Sequence, residues 1–204
     1  MSSRVPRWFT GTKEGHSQWY IERFRTAAAA GDDLTGEARL MDAIVPPRSR
    51  ILDAGCGPGR LGAELHARGH AVVGVDVDPL LIAAAEEDHP GPTWLVGDLA
   101  ELDLSGLDVG EEPFDAALIA GNVMVFVAPG TEPDVLARVR AHLKPDGVIV
   151  AGFDLDLHYS LNAFDADLYL AGLRVEQRFA TWDLRPLGKD PDYAVTIARV
   201  VSGH

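Results

Sequence analysis

The sequence predicts an α/β protein, an open and mostly parallel sheet with helices on both faces and an antiparallel C-terminal hairpin. Three observations carry this reading. Short apolar runs alternate with helical patterns through the middle of the chain, as parallel strands joined by right-handed crossovers require. A glycine-rich turn, Gly55-Cys56-Gly57-Pro58-Gly59, joins the first such run to the helix after it. Near the C-terminus two apolar runs follow each other with no helix between them, so they pair as a hairpin.

In chain order, Ser17–Ala30 places Tyr20, Phe24, Ala27 and Ala28 on one helical face and stops at Gly31-Asp32-Asp33. A second helix runs from Thr35 to about Val45, ended by Pro46-Pro47, because proline cannot continue a helix without losing a hydrogen bond. Arg50–Ala54 reads as a buried strand and Arg60–Arg68 as a helix closed by Gly69. Ala71–Val75 is the next strand. Asp78 then supplies an N-cap and Pro79 the first helical position of a helix through Leu80–Glu87. Thr93–Val96 and Phe114–Ala120 are strands, and Thr131–Leu143 is a helix with Leu136, Val139 and Leu143 on one face. After the turn Lys144-Pro145-Asp146-Gly147 comes a fifth strand, Val148–Phe153. Leu173–Trp182 and Tyr193–Val200 form the tail hairpin around the polar loop Asp183–Asp192. No repeat or linker divides the chain, so a single domain is expected over residues 1–204, with 1–45 a helical cap on a core at 46–204.

Composition excludes several functions. The 204 residues carry 18 Lys and Arg against 31 Asp and Glu, a formal charge of −13, with no basic cluster. Binding to a phosphate backbone is driven by neutralising charge, so neither nucleic acid nor an anionic membrane is an expected partner. No stretch approaches the ~20 apolar residues that cross a bilayer, and MSSRVPRWFTGTKEGHS lacks the apolar core of a secretory signal. The lone Cys56 builds no disulfide framework, so a cytoplasmic setting is expected. A small-molecule substrate fits this chain best, with the protein a monomer or homodimer.

The turn after the first strand carries the chemistry. Gly55 and Gly57 let the backbone bend sharply and approach a ligand. A dinucleotide site has G-x-G-x-x-G with the pyrophosphate on a helix N-terminus. Here the spacing is G-x-G-x-G and Asp53 precedes it. An acid there repels pyrophosphate and attracts an ammonium group, so the ligand is expected to carry an amino-acid moiety at this point. Asp76 ends the second strand, where a carboxylate can accept from both hydroxyls of a ribose. Asp78 already serves as the cap, which leaves Asp76 free for that role.

Together, Asp53-Ala54-Gly55-Cys56-Gly57-Pro58-Gly59, Asp76 after the second strand and Gly97-Asp98-Leu99 after the third resemble the motif series of class I S-adenosylmethionine-dependent methyltransferases, of the small bacterial type. The similarity runs from about Leu34 to Phe153, and the tail hairpin agrees with the family's Rossmann-like sheet. The resemblance implies S-adenosylmethionine as cofactor and S-adenosylhomocysteine as product. It places Gly55, Cys56 and Gly57 against the methionine part, Asp76 and Val77 at the ribose, and Asp98 with the Leu99 backbone at the adenine. After the fourth strand, Gly121 and Asn122 would complete the pocket.

The sulfonium makes its methyl group electrophilic without help, so the protein need only align the nucleophile and exclude water. Gly121-Asn122-Val123-Met124 departs from the Asn/Asp-Pro-Pro-Tyr-like motif of the family's DNA and amino-group methylases, and no acid set for a metal is evident. What remains is a small-molecule acceptor methylated at oxygen or nitrogen, without excluding carbon. His158 is the candidate to accept a proton, although an exposed loop position is its plainer reading. Tyr159, Trp19, Tyr20 and Arg23 are candidate acceptor contacts. A nicotinamide-dependent oxidoreductase and a non-catalytic S-adenosylmethionine-binding protein are the alternatives.

Overall fold

The computed structural model describes residues 4–110 and 112–201; the extreme ends of the domain expected over 1–204 lie outside them. Seven strands form one sheet: β1 (Arg50–Ala54), β2 (Ala71–Asp76), β3 (Thr93–Val96), β4 (Phe114–Ile119), β5 (Leu143–Asp154), β6 (Leu173–Phe179) and β7 (Tyr193–Val200). Their spatial order is β3-β2-β1-β4-β5-β7-β6. The first five are parallel, and β7 runs antiparallel to both β5 and β6. This is the expected Rossmann-like architecture with its antiparallel tail. No helix among the described residues is long and apolar enough to cross a membrane.

Strand alternation builds two cores. Leu52, Ala54, Val73 and Val75 face one way, against Leu136 and Val139 of α7 (Glu132–Ala141) and Phe164 and Leu168 of α8 (Leu161–Leu170). Ile51 and Val72 face the other way, against Leu61 and Leu65 of α4 (Arg60–Ala67) and Met41 of α3 (Gly36–Ile44). A strand buried on both faces reads as a continuous apolar run, which is how these strands were recognisable. The helix after β2, α5 (Pro79–Asp88), begins as the sequence implies: the Asp78 carboxylate accepts from Leu80 N–H at 2.9 Å.

Three glycines make a slot beside α4 and α5. The Trp94 ring of β3 lies so close that a Cβ on Gly62 would come within 2.8 Å of it and one on Gly59 within 3.0 Å, while one on Gly74 would overlap it outright. Trp94 donates its indole N–H to the His89 carbonyl at 2.9 Å, which sets the ring's depth.

Several elements differ from the sequence reading. Four short or late ones were not anticipated: α1 (Arg7–Thr10), a 3-10 turn at Leu99–Glu101, α6 (Val123–Phe126) and α8. The signal for α8 was present, because Ser160 accepts from Ala163 N–H as a cap and Leu161, Phe164 and Leu168 share a helical face. Strand β5 begins at Leu143, because Lys144–Gly147 forms an irregularity within the β4–β5 pairing rather than a separate turn. In α2 (His16–Ala29) the fully buried residue is Ile21, packed on Leu81 and Ala84 of α5, while Ala28 is exposed. His70 is buried: its Nδ1 accepts from Ser49 N–H at 3.1 Å and its Nε2 lies 3.0 Å from Asp42.

Candidate active site

In an open parallel sheet, ligands bind beyond the carboxyl ends of the strands, where the strand order reverses. Here that point lies between β1 and β4, and a cavity opens there. The glycine loop forms its floor. Gly55 (φ +82°) and Gly57 (φ +55°) adopt left-handed backbone, and the Gly55 and Cys56 N–H groups donate to Val75 O at 2.7 and 3.1 Å. A Cβ on Gly55 would overlap the Val123 side chain. The loop can take this path only without one.

Asp76 organises the next part. Its Oδ2 accepts from Gly57 N–H and its Oδ1 from Asp78 N–H, each at 2.9 Å. The carboxylate therefore ties the end of β2 to the glycine loop while lining the cavity. Burial pushes its pKa up to about 6, only partly countered by those two N–H groups. Val77 and Leu99 also line the cavity, as does Asp98, whose Oδ1 accepts from Ala100 N–H at 2.9 Å. Gly121, after β4, lies opposite.

Two expected cofactor contacts lie elsewhere. Asp53 is 2% exposed and does not border the cavity. Alternation along β1 turns its side chain toward the first turn of α4, where a Cβ on Gly62 would stand 3.0 Å from its Oδ2. That oxygen has no hydrogen-bond partner among the described residues, and burial raises the Asp53 pKa to about 7. An ammonium in the cavity is therefore not met by this carboxylate directly. Asn122 holds left-handed backbone (φ 69°), and its side chain turns to the β5 end, accepting from Asp154 N–H at 2.8 Å. Cys56 does border the cavity, and burial raises its thiol pKa well above the ordinary value.

The candidate acceptor residues separate in the same way. Tyr20 lines the cavity, its Cε1 3.6 Å from a Cβ built on Gly57 and its hydroxyl 3.7 Å from one built on Gly121. The ring thus spans the two loops. Phe24 lies beside it. Trp19, on the outer face of α2, is 54% exposed, and the exposed Arg23 lays its guanidinium over the Trp19 and Phe24 rings at 5.6 Å. His158 is exposed and does not border the cavity. Tyr159 is buried behind the sheet, stacked on Phe153 and donating to Asp167 at 2.5 Å. A hydroxyl committed to a carboxylate inside an apolar cluster serves packing.

Among the wall residues the sequence reading missed are Pro6, Trp8, Arg60 and Phe126. Trp8 packs edge-on against Tyr20 and Phe126, with ring centroids 5.4 and 5.7 Å away. Arg60 stands in the cavity wall, held by Glu37 at 2.6 Å and lying 5.0 Å from the Phe24 ring. No periodicity marks Trp8, which belongs to a four-residue helix, and only the chain path brings it to the site.

The donor set fits S-adenosylmethionine: backbone cleared of side chains for the methionine part, and acids at the ends of β2 and β3 for ribose and adenine. Calorimetry is expected to show S-adenosylhomocysteine binding with no comparable heat from NAD. Tighter NAD binding would refute this fit.

Comparison with known proteins agrees. Residues 51–147 match a methyltransferase domain family. The chain is 40% identical to a crystallised TehB-like SAM-dependent methyltransferase from Corynebacterium glutamicum, with a TM-score of 0.84 over 91% of this chain and 98% of that one. A SAM-bound amino pentose methyltransferase from Micromonospora echinaspora shares the fold at 18% identity, with a TM-score of 0.66 over 86% of this chain and 96% of that one. Among curated proteins, a methyltransferase from Synechocystis is 29% identical over 143 residues, 70% of this chain and 63% of that protein. The chain spans less than two thirds of the length of the first curated relatives it matches. With the motif series, the strand order and a full-length 40% identical relative in agreement, the chain belongs to the class I S-adenosylmethionine-dependent methyltransferases.

Proposed function

We propose that this methyltransferase acts on a small-molecule acceptor, at an oxygen or nitrogen atom, in the space enclosed by Tyr20, Phe24, Trp8 and Phe126. The observation that carries the reading is the position of Tyr20. Its ring reaches from the glycine loop to Gly121, so that together with Trp8, Phe24 and Phe126 it gives the cavity an aromatic wall. The charge of −13 points away from nucleic acid and anionic membrane as partners.

When bound, S-adenosylmethionine supplies an electrophilic methyl group. The task of the chain's own residues is to orient and to exclude water. Asp76 would hold the ribose and, through Gly57 N–H, keep the glycine loop in register with it. The aromatic wall keeps water from the reacting atoms. Burial raises the pKa of the Tyr20 hydroxyl, so it stays protonated and can donate a hydrogen bond to the acceptor. Among the described residues no histidine lines the cavity, and its thiol is likewise protonated. An acceptor already nucleophilic at neutral pH suits such a site.

Incubation with methyl-labelled S-adenosylmethionine and a fractionated cell extract tests this. Label is expected in the small-metabolite fraction. Label confined to protein, RNA or DNA would overturn the small-molecule reading.

A further inference from the structure

Two clasps hold the N-terminal segment across the mouth of the cavity. At one end, Arg7 N–H and its guanidinium donate to the Val127 carbonyl at 3.4 and 3.3 Å, and the guanidinium pairs with Glu132, itself nearly buried, at 3.0 Å. At the other end, the Trp8 indole N–H donates to Asp78 Oδ2 at 2.8 Å, and the Ser17 hydroxyl donates to the same oxygen. Asp78 is 2% exposed. Its Oδ1 caps α5 through Leu80 N–H, and its own N–H donates to Asp76 Oδ1. Asp76 in turn accepts from the glycine loop. An unbroken run of hydrogen bonds therefore joins Gly57, Asp76, Asp78 and the strap that carries Trp8.

We infer that Asp78 is a positioning residue that couples closure of the N-terminal strap to cofactor binding. This rests on the reading of the cavity as the S-adenosylmethionine site. The physical argument is one of shared geometry. The stretch from Asp76 to Asp78 presents one carboxylate to the cavity and the next to the strap. Lifting the strap removes two donors from a carboxylate that the fold has taken out of water, and leaves it only its helix-capping bond. A buried acceptor stripped of its partners is costly, so the strap is held down most firmly when this stretch is in place. A cofactor that orders Asp76 therefore favours the closed strap. By reciprocity the closed strap raises cofactor affinity by the same factor. Trp8 lies in the cavity wall and Ser17 does not, although both bond to Asp78. The coupling thus belongs to the latch rather than to wall contact alone.

Two variants separate these contributions. Trp8→Phe keeps an aromatic ring against Tyr20 and Phe126 but deletes the N–H donor. Ser17→Ala deletes the second donor without touching the cavity. Each is made in the full chain and measured with S-adenosylhomocysteine as probe, by calorimetry and by trypsin cleavage within the strap at Arg7 and Lys13. In the parent protein the probe is expected to slow cleavage at these sites. In each variant the dissociation constant is expected to rise about fivefold to tenfold, the size of an ordinary coupling between two sites, and probe-dependent protection to shrink with it. Circular dichroism confirms that the variants fold. Unchanged affinity and unchanged protection in Ser17→Ala would overturn the coupling while leaving the cofactor site intact. A parent protein that binds no S-adenosylhomocysteine would overturn the reading of the cavity and the coupling with it.

Discussion

Asp76→Ala is expected to weaken S-adenosylhomocysteine binding by about a hundredfold. Hydrogen bonds to a charged group contribute about 1.5–3 kcal/mol each, and about 1.4 kcal/mol is a factor of ten. Two ribose hydroxyls on one carboxylate reach that range. The substitution also frees Gly57 N–H and Asp78 N–H, which Asp76 now holds at 2.9 Å, so the glycine loop loses its tether as well. The pH dependence carries the same signature. Burial raises the Asp76 pKa to about 6, so in the free protein the carboxylate becomes protonated as pH falls through that value. Affinity should decline below about pH 6 in the parent chain, and that decline should vanish in Asp76→Ala. Calorimetry at pH 7.5 and 5.5 measures both. A dissociation constant that hardly moves on substitution would remove Asp76 from the site.

Asp53→Asn should stabilise the protein at alkaline pH. The Asp53 carboxyl is 2% exposed, has an unpartnered oxygen and titrates near 7 against an ordinary value of 3.8. Because the folded-state value is the higher one, its contribution to stability is fully present below about pH 4 and is lost as pH rises through about 7. Three units correspond to a loss on the order of 4 kcal/mol by pH 8. Asparagine escapes the ionisation but brings an amide that also needs partners, so part of the gain is forfeited. Because the amide cost is the same at every pH, the melting temperature of the variant relative to the parent is expected to rise by about 10 °C from pH 4 to pH 8, starting at or below zero at the acid end, for a chain of this size. Calorimetric melts of both proteins across that range decide the matter. A difference that is independent of pH, or a less stable variant at pH 8, would show that the Asp53 charge is compensated in the fold.

What could be read in advance follows from how local each cause is. Strands β1, β3 and β7 were bounded to the residue, because turn residues frame each apolar run, and in β1 the run Ile51-Leu52 is buried on both faces. Gly55, Gly57, Asp76 and Asp98 could be placed together because each follows directly on a strand, and parallel strands bring those ends to one edge. Residues whose position depends on distant packing could not be placed. Trp8 reaches the site only by bonding to Asp78, seventy residues on. Tyr159 looked available beside His158, yet its hydroxyl is taken by Asp167 of α8, a helix the sequence reading does not assign. Asp53 showed the limit of reasoning from adjacency. It is next to the glycine loop in the chain, but strand alternation points it beneath the loop.

The Trp94 slot bears on how this protein can diverge. Gly59, Gly62 and Gly74 are spread over a loop, a helix and a strand, and each faces the same indole. Gly62 and Gly74 owe their lack of a side chain to that ring rather than to any ligand. In an alignment of close relatives, positions 62 and 74 should therefore vary together with position 94: where 94 carries a smaller residue, alanine or serine becomes admissible at its partners, and where tryptophan stays, glycine stays. Gly55, which clears the path of the loop beneath the cavity, should not follow that exchange. Invariance among the glycines of this region would thus have two separate origins, and covariation with position 94 would tell them apart.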